Sequence, residues 1–295
     1  MNHLFVSTTF LGRVPSKIEE TLGLIQDLDI NGIELGSTHQ YDKDFLKKLQ
    51  KTNFKRKLVH NYCPPAKRDL ILNIASPEES IRKASVEHVK NCLQFAGKIS
   101  AELYTLHPGF LADALGTQVT SENYDFQFQS SFNDYETVFQ CMTRSLEEIL
   151  SYASKISVSV ALETEGSIKK SEYLLLQRPE EFIRIKEIFG KDLYFNFNLA
   201  HSALAGKCFS FDPMDILEIL GNQIKAVEIS HCNLENDQHL PLQSDSFVFS
   251  YLNRLPKVPW ILEFRDSSLQ ELMESIQLIR SHFRDSTQLS CSRGH

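Results

Sequence analysis

VSVALETEGSIKKSEYLLLQRPEEFIRIKEIFGKDLYFNFN, residues 158–198, carries the pattern on which the fold turns. The opening run VSVALE (158–163) is apolar, rich in β-branched residues and bounded by polar ones, which is the signature of a short buried strand. PEEFIRIKEIFG then spaces its apolar residues as one face of a helix, with proline at its start and Gly190 where a C-cap belongs. LYFNFN (193–198) closes the segment as a second strand. Strand, crossover helix and strand is the unit from which parallel sheets are built.

The same alternation extends to both ends of the chain. Further strand candidates are LFVST (4–8), GIEL (32–35), KLVH (57–60), AELYTLH (101–107), IKAVEIS (224–230) and PWILEF (259–264), which brings the count to eight. Between them lie KIEETLGLIQDL, SIRKASVEHVKNCLQFA, VFQCMTRSLEEILSYASK and DPMDILEIL, all with helical spacing, and SLQELMESIQLIRSHF follows the last strand. Ser76-Pro77-Glu78-Glu79 reads as a helix start, with acids facing the positive helix end. Eight strands each followed by a helix predict a single closed (β/α)8 TIM barrel. An open doubly wound sheet is the alternative, but no GxGxxG follows any strand, so its nucleotide-binding form lacks its fingerprint. No Pro-, Gly- or Ser-rich linker divides the chain. One domain over residues 1–284 with a flexible tail, 285–295, is the expectation, and the long connection 111–135 reads as a lid loop.

Composition places the chain among ordinary globular proteins: 295 residues, 42% hydrophobic, 23% charged, net charge −7. The six cysteines form no CxxC pair, MNHLFVSTTF lacks the features of a signal peptide, and no apolar run approaches the roughly 20 residues a membrane span needs. These readings predict reduced thiols and a cytoplasmic protein with no membrane partner.

In a parallel barrel the C-terminal ends of all strands meet on one face, and active sites are built there. Here those ends are polar. The third strand ends in His60, the fourth in His107, the fifth in Glu163 and the sixth in Asn198, with His201 just beyond. The seventh runs into HCNLENDQHLP, which holds His231, Asp237 and His239, and the eighth holds Glu263. Any one of these is ordinary as a hydrogen-bonded strand-end residue. Converging nitrogen and oxygen donors are what a divalent metal such as Zn, Mn, Co or Mg requires. Cys63 and Cys232 lie close in sequence but read as small buried thiols.

VHNYCPPAKRDLILNIASPEESIRKASVEHVKNCLQFAGKISAELYTLHPGF, together with ALET, FNFNLAHSALAG, ISHCNLENDQHLP and ILEF, resembles the xylose isomerase-like TIM-barrel superfamily over about residues 18–280. That superfamily contains sugar phosphate isomerases and epimerases and the endonuclease IV family of apurinic-site nucleases. By position, the resemblance implies that Glu163, Asn198, His231 and Glu263 hold a single divalent metal and that Glu163 and Glu263 act as acid and base. It implies further metal positions at His60, His107, His201, Asp237 and His239, so that one metal, and up to three, would be bound. One departure stands out: Asn198 occupies the place of an aspartate in a D-x-x-H motif, here NLAH, and an amide is a poorer, uncharged ligand.

The resemblance thus implies a metal-dependent sugar or sugar phosphate isomerase or epimerase. Two carboxylates would move a proton beside a carbonyl, His201 would orient a hydroxyl, and Arg265, Lys207, Arg13 or Arg68 would meet a phosphate. A zinc-dependent, endonuclease IV-like hydrolase is the alternative, and it needs a basic rim. The densest basic run, KKLQKTNFKRK (47–57), opens on the barrel face opposite the site, and the loops on the catalytic side mix both signs, so nucleic acid is disfavoured. Tyr124, Phe126 and Phe128 could stack on bases or cover a sugar. Other metal-dependent reactions, such as dehydration, and a barrel that has lost turnover complete the alternatives; a homodimer fits the way such barrels often pair.

Overall fold

The structure is a computed structural model, and it describes residues 3–12, 16–67, 70–119, 124–128 and 132–291. Eight parallel strands close into a barrel: β1 (Leu4–Ser7), β2 (Gly32–Leu35), β3 (Lys57–His60), β4 (Leu103–Leu106), β7 (Val160–Glu163), β8 (Tyr194–Asn198), β9 (Ile224–Ile229) and β10 (Trp260–Leu262). Around the ring the order is β1-β10-β9-β8-β7-β4-β3-β2, so β4 and β10 stand on opposite sides. The helices α1 (Ile18–Ile25), α2 (Phe45–Leu49), α3 (Glu79–Lys98), α4 (Tyr135–Lys155), α5 (Pro179–Phe189), α6 (Leu199–Phe209), α7 (Pro213–Leu220) and α8 (Leu269–Cys291) connect and follow the strands. The eight strands read from sequence are these eight, each shifted by no more than a few residues at its ends. Helix α8 continues to Cys291, through most of the segment read as a tail.

The long connection read as a lid loop contains a two-stranded antiparallel hairpin, β5 (Ala114–Val119) and β6 (Tyr124–Phe128). Its aromatic residues dock it: Phe126 and Phe128 pack on Phe110, and Phe128 stacks on Tyr173 at 4.4 Å between ring centres. Local chemistry also sets the helix ends. Gly190 closes α5 with φ of +53°, a conformation side chains disfavour, and Asp134 caps α4 by accepting from the Thr137 N–H at 3.0 Å.

The barrel interior explains where the site sits. Phe5, Leu58, Leu103, Ala161, Ala226 and Ile261 form a buried apolar cluster with Tyr194 against it, and Gly32 leaves the space that the Phe5 ring fills. Side chains along a strand alternate with period two, so the inward residue two positions further on comes from the same face. Those residues are Ser7, Glu34, His60, Thr105, Glu163, Asn196, Glu228 and Glu263, all buried and all polar. Thus a dry plug supports a complete polar ring beneath the C-terminal mouth, in the layered manner of such barrels.

Candidate metal centre

Four groups of side chains around this ring bring three donor atoms within 4.8 Å of one another: His60/His107/Glu163, His201/Asp237/His239, Glu163/Glu228/Glu263 and Glu34/His60/Glu228. The first two contain two imidazoles each and lie on either side of the carboxylates of the third.

The second triad is assembled by a loop. His231 and Leu240 pair through reciprocal backbone hydrogen bonds of 2.8 Å, and Asn233 Oδ1 accepts from the Glu235 and Asn236 N–H groups at 2.9 Å, which folds 231–240 back over the barrel. Asp237 and His239 thereby meet His201, which the first turn of α6 supplies. Asp237 Oδ1 lies 3.1 Å from His239 Nε2 and 3.4 Å from His201 Nε2, yet Asp237 Oδ1 and His239 Nε2 are buried without a hydrogen-bond partner. In the first triad Glu163 Oε2 is likewise buried and unpartnered, 3.7 Å from His60 Nδ1 and 3.8 Å from His107 Nδ1. Buried polar atoms left unpaired are costly and call for an explanation, and a cation between them supplies one.

The Nδ1 nitrogens of these rings have partners. His60 Nδ1 meets Thr105 Oγ1 at 2.8 Å, His107 Nδ1 meets Glu165 Oε1 at 2.6 Å, His201 Nδ1 meets the Thr164 carbonyl at 3.0 Å, and His239 Nδ1 meets the Glu263 carbonyl at 3.3 Å. In the second triad this leaves the Nε2 atoms of His201 and His239 facing Asp237, whereas in the first triad the Nδ1 atoms of His60 and His107 are the ones near Glu163 Oε2, and Glu165 stands with His107 in the carboxylate–histidine arrangement that raises ligand basicity. The residues of both triads therefore fit a divalent cation.

Charges in the metal-free chain follow from the same contacts. Burial pushes Glu163 up, but His107, His201 and His60 overcome it and hold the carboxyl well below its usual range. Burial opposes charge on His107 too, while Glu163 and Glu165 raise its pKa to about 9. His239 and Arg265 bring Glu263 down to about 2 against the effect of its burial. Glu34 and Glu228 go the other way, raised well above the usual range by burial and by the neighbouring carboxylates. Four glutamates this close and this far from water favour charge on some of them at the expense of the others, and burial with like-charged neighbours disfavours it on Glu34 and Glu228.

The ring opens into a cleft of 1040 Å³, on the scale of small-molecule sites, whose walls include His107, Glu165, His201, Asp237, Glu263 and Arg265, with Phe110, Phe126 and Phe128 from the hairpin side. Of the expected phosphate contacts, Arg265 lies on this wall, Lys207 is exposed on the last turn of α6, and Arg13 and Arg68 fall outside the described residues. Glu163 is 1% exposed and is not part of the cleft wall. His231 belongs to neither triad: it follows the strand on the opposite face from Glu228, and its ring sits 6.0 Å from Phe247. Glu228, Glu34, Glu165 and Asn196 are the site-forming residues that the sequence reading did not single out. A glutamate inside a strand buried on both faces, as in GIEL and KAVEI, is the signal that finds the first two.

His39 tests the burial at the edge of the cleft. Its Nε2 is 2.7 Å from Thr8 Oγ1, and burial lowers its pKa to about 4 from an ordinary 6.5. Between those values the unfolded chain binds a proton that the folded chain refuses, so this residue costs stability as pH falls through 6.5 and the cost levels off near 4. Replacing it, as in His39→Gln, is expected to flatten the acid limb of stability by up to about 3 kcal/mol, read as unfolding free energies from denaturant titrations at pH 7.5 and 4.5. Parallel losses in both proteins would exclude a neutral buried His39.

Residues 22–282 match the model of the xylose isomerase-like TIM barrel. The chain belongs to that family. It is 24% identical over 215 residues to the uncharacterized protein MJ1311 of Methanocaldococcus jannaschii, a match covering 72% of this chain and 66% of that one, slightly under two thirds of the relative's length. Among solved folds, a D-tagatose 3-epimerase-like protein superposes with a TM-score of 0.75 at 18% identity, covering 98% of this chain and 99% of the other. The 3-keto-D-glucoside 4-epimerase YcjR of E. coli gives 0.68 at 12% identity, covering 95% and 100%. At such identities these likenesses establish the fold of the family and leave the chemistry to the site. Among the described residues no helix is long and apolar enough to cross a membrane.

Proposed function

We propose that this protein is a divalent-metal-dependent isomerase or epimerase of a sugar or sugar phosphate. Glu263 carries the reading: a carboxylate just after β10, held in its charged form by His239, whose Nδ1 lies at 3.0 Å, and lining a small-molecule cleft together with Arg265. A carboxylate placed there can take the proton from a carbon next to a carbonyl, leaving an enediolate, and return it to the neighbouring carbon. Arg265 offers a planar pair of donors for a phosphate or for substrate oxygens. Phe126 and Phe128 of the hairpin add apolar surface to the same cleft. A cation held by His60, His107 and Glu163, or by His201, Asp237 and His239, would supply Lewis-acid polarisation of a carbonyl or hydroxyl. Glu163, enclosed behind the histidines and hydrogen-bonded by Asn198 at 2.9 Å, serves here to hold ligands and not to meet the substrate.

A second reading, hydrolysis of a phosphoester, draws on the presence of two triads with two histidines each where one metal would need only one. One screen separates them. The zinc- or manganese-loaded protein is incubated in deuterated water with aldoses, ketoses and their phosphates, and with an abasic-site oligonucleotide. Deuterium entering the carbon next to the carbonyl, together with a new sugar isomer, is the expected outcome. Phosphoester cleavage without exchange would transfer the site to the hydrolytic reading.

A further inference from the structure

The place between the two triads is occupied by an amide. Asn198 ends β8 and caps α6, its Oδ1 accepting from the His201 N–H at 3.1 Å. That bond fixes which way the side chain faces, so its Nδ2 points at the carboxylates, donating to Glu163 Oε1 at 2.9 Å and Glu228 Oε2 at 2.8 Å. The remaining Glu228 oxygen accepts from Asn196 Nδ2 at 2.5 Å. Three N–H bonds thus stand where the Glu163/Glu228/Glu263 group would otherwise need positive charge, and the one oxygen of Asn198 that could bind an ion is spent on the helix. An aspartate has a second oxygen to spare; an asparagine has none.

The flanking triads are in the opposite condition, with Glu163 Oε2, Asp237 Oδ1 and His239 Nε2 buried without a hydrogen bond and within 3.1–3.8 Å of the other donors of their triads. His60 and His107 in one triad, and His201 and Asp237 in the other, reach the cleft wall, whereas neither carboxylate of the Glu34/His60/Glu228 group does. From this we infer that Asn198 closes the position between the two triads to metal, so that of the up to three positions the resemblance implies, the chain fills two, the flanking triads with two histidines each. The inference rests on the metal-dependent reading of the site and adds how many of the implied positions are filled and which one is closed. Two imidazoles and one carboxylate make a donor set for zinc and its neighbours, with an open fourth position; an all-carboxylate centre would suit magnesium or calcium.

Zinc equivalents bound by the full chain, measured by mass spectrometry after loading with ZnCl2 and removal of loose ions on a chelating resin, test it. Two are expected in the wild type. His107→Ala and Asp237→Ala should each keep one, and Asn198→Asp, which preserves the helix cap, should bind a third. One or three equivalents in the wild type, or an unchanged count in Asn198→Asp, overturns the inference and leaves metal dependence standing. No bound zinc overturns both. Because Asp237 lies in a surface loop and is partly exposed, its variant keeps the test valid if His107→Ala fails to fold.

Discussion

Glu263→Gln is expected to lower turnover by about 10²–10⁴-fold while leaving KM nearly unchanged, the range over which a positioned general base acts. The substitution is close to isosteric, and the new amide oxygen can still accept from His239 Nδ1, so the second triad keeps its orientation. What disappears is the capacity to take a proton. Deuterium exchange into the substrate and net isomerisation should therefore fall together, with the thermal midpoint unmoved. Exchange retained within tenfold of the wild type would move proton transfer to another cleft carboxylate, such as Glu165. A large rise in KM with turnover intact would make Glu263 a binding group. Glu263 is thereby separated from Glu163, whose loss is expected instead to abolish metal binding at the first triad.

How much of this was legible in the sequence depends on whether a residue's neighbours are local. The barrel strands stand where KLVH, VSVALE and IKAVEIS place them, because strands buried on both faces read as short apolar runs bounded by turn residues. The convergence of His60, His107, Glu163, His201, Asp237, His239 and Glu263 followed from the parallel topology alone. His231 shows the limit of that reasoning. It directly follows β9 and looked equivalent to the others, but the inward positions of that strand are Ala226 and Glu228, so a period of two carries His231 past the site. The same period would have found Glu34 and Glu228, each two residues beyond an inward-facing position, had strand interiors been read for polarity as well as strand ends. Hairpin β5–β6 escaped because the residues joining ALGTQV to YDFQF are polar without the Asn-Gly or Asp-Gly pair that marks a tight turn. The orientation of Asn198 was beyond any sequence pattern, since a helix cap and two carboxylates from other strands determine it together.

Gly166→Ala should destabilise the protein by about 3–5 kcal/mol, at the extreme for a single methyl group. A Cβ on Gly166 would lie 1.8 Å from the His201 carbonyl oxygen and 2.6 Å from its carbonyl carbon, with the Ala205 nitrogen at 3.0 Å. All of these are backbone atoms, so no rotamer change relieves the contact. Residue 166 follows the strand end that carries Glu163, and it lies directly against the first turn of α6, which carries His201. That close approach also lets the Thr164 carbonyl meet His201 Nδ1 and the Thr164 hydroxyl meet Ser202 Oγ at 3.1 Å. Pushing the two apart must either unseat α6 or drag His201 away from Asp237 and His239. The metal-free variant should melt roughly 5–15 °C below the wild type, with weakened zinc binding in the second triad and an intact first triad. Gly23→Ala provides the contrast: it lies in α1 with nothing within 4 Å of the added carbon, so the same change should stabilise by about 0.5–1 kcal/mol through helix propensity. A Gly166→Ala protein that melts within 2 °C of the wild type would mean that β7 and α6 do not press together as described, and the second triad would lose the scaffold that holds it.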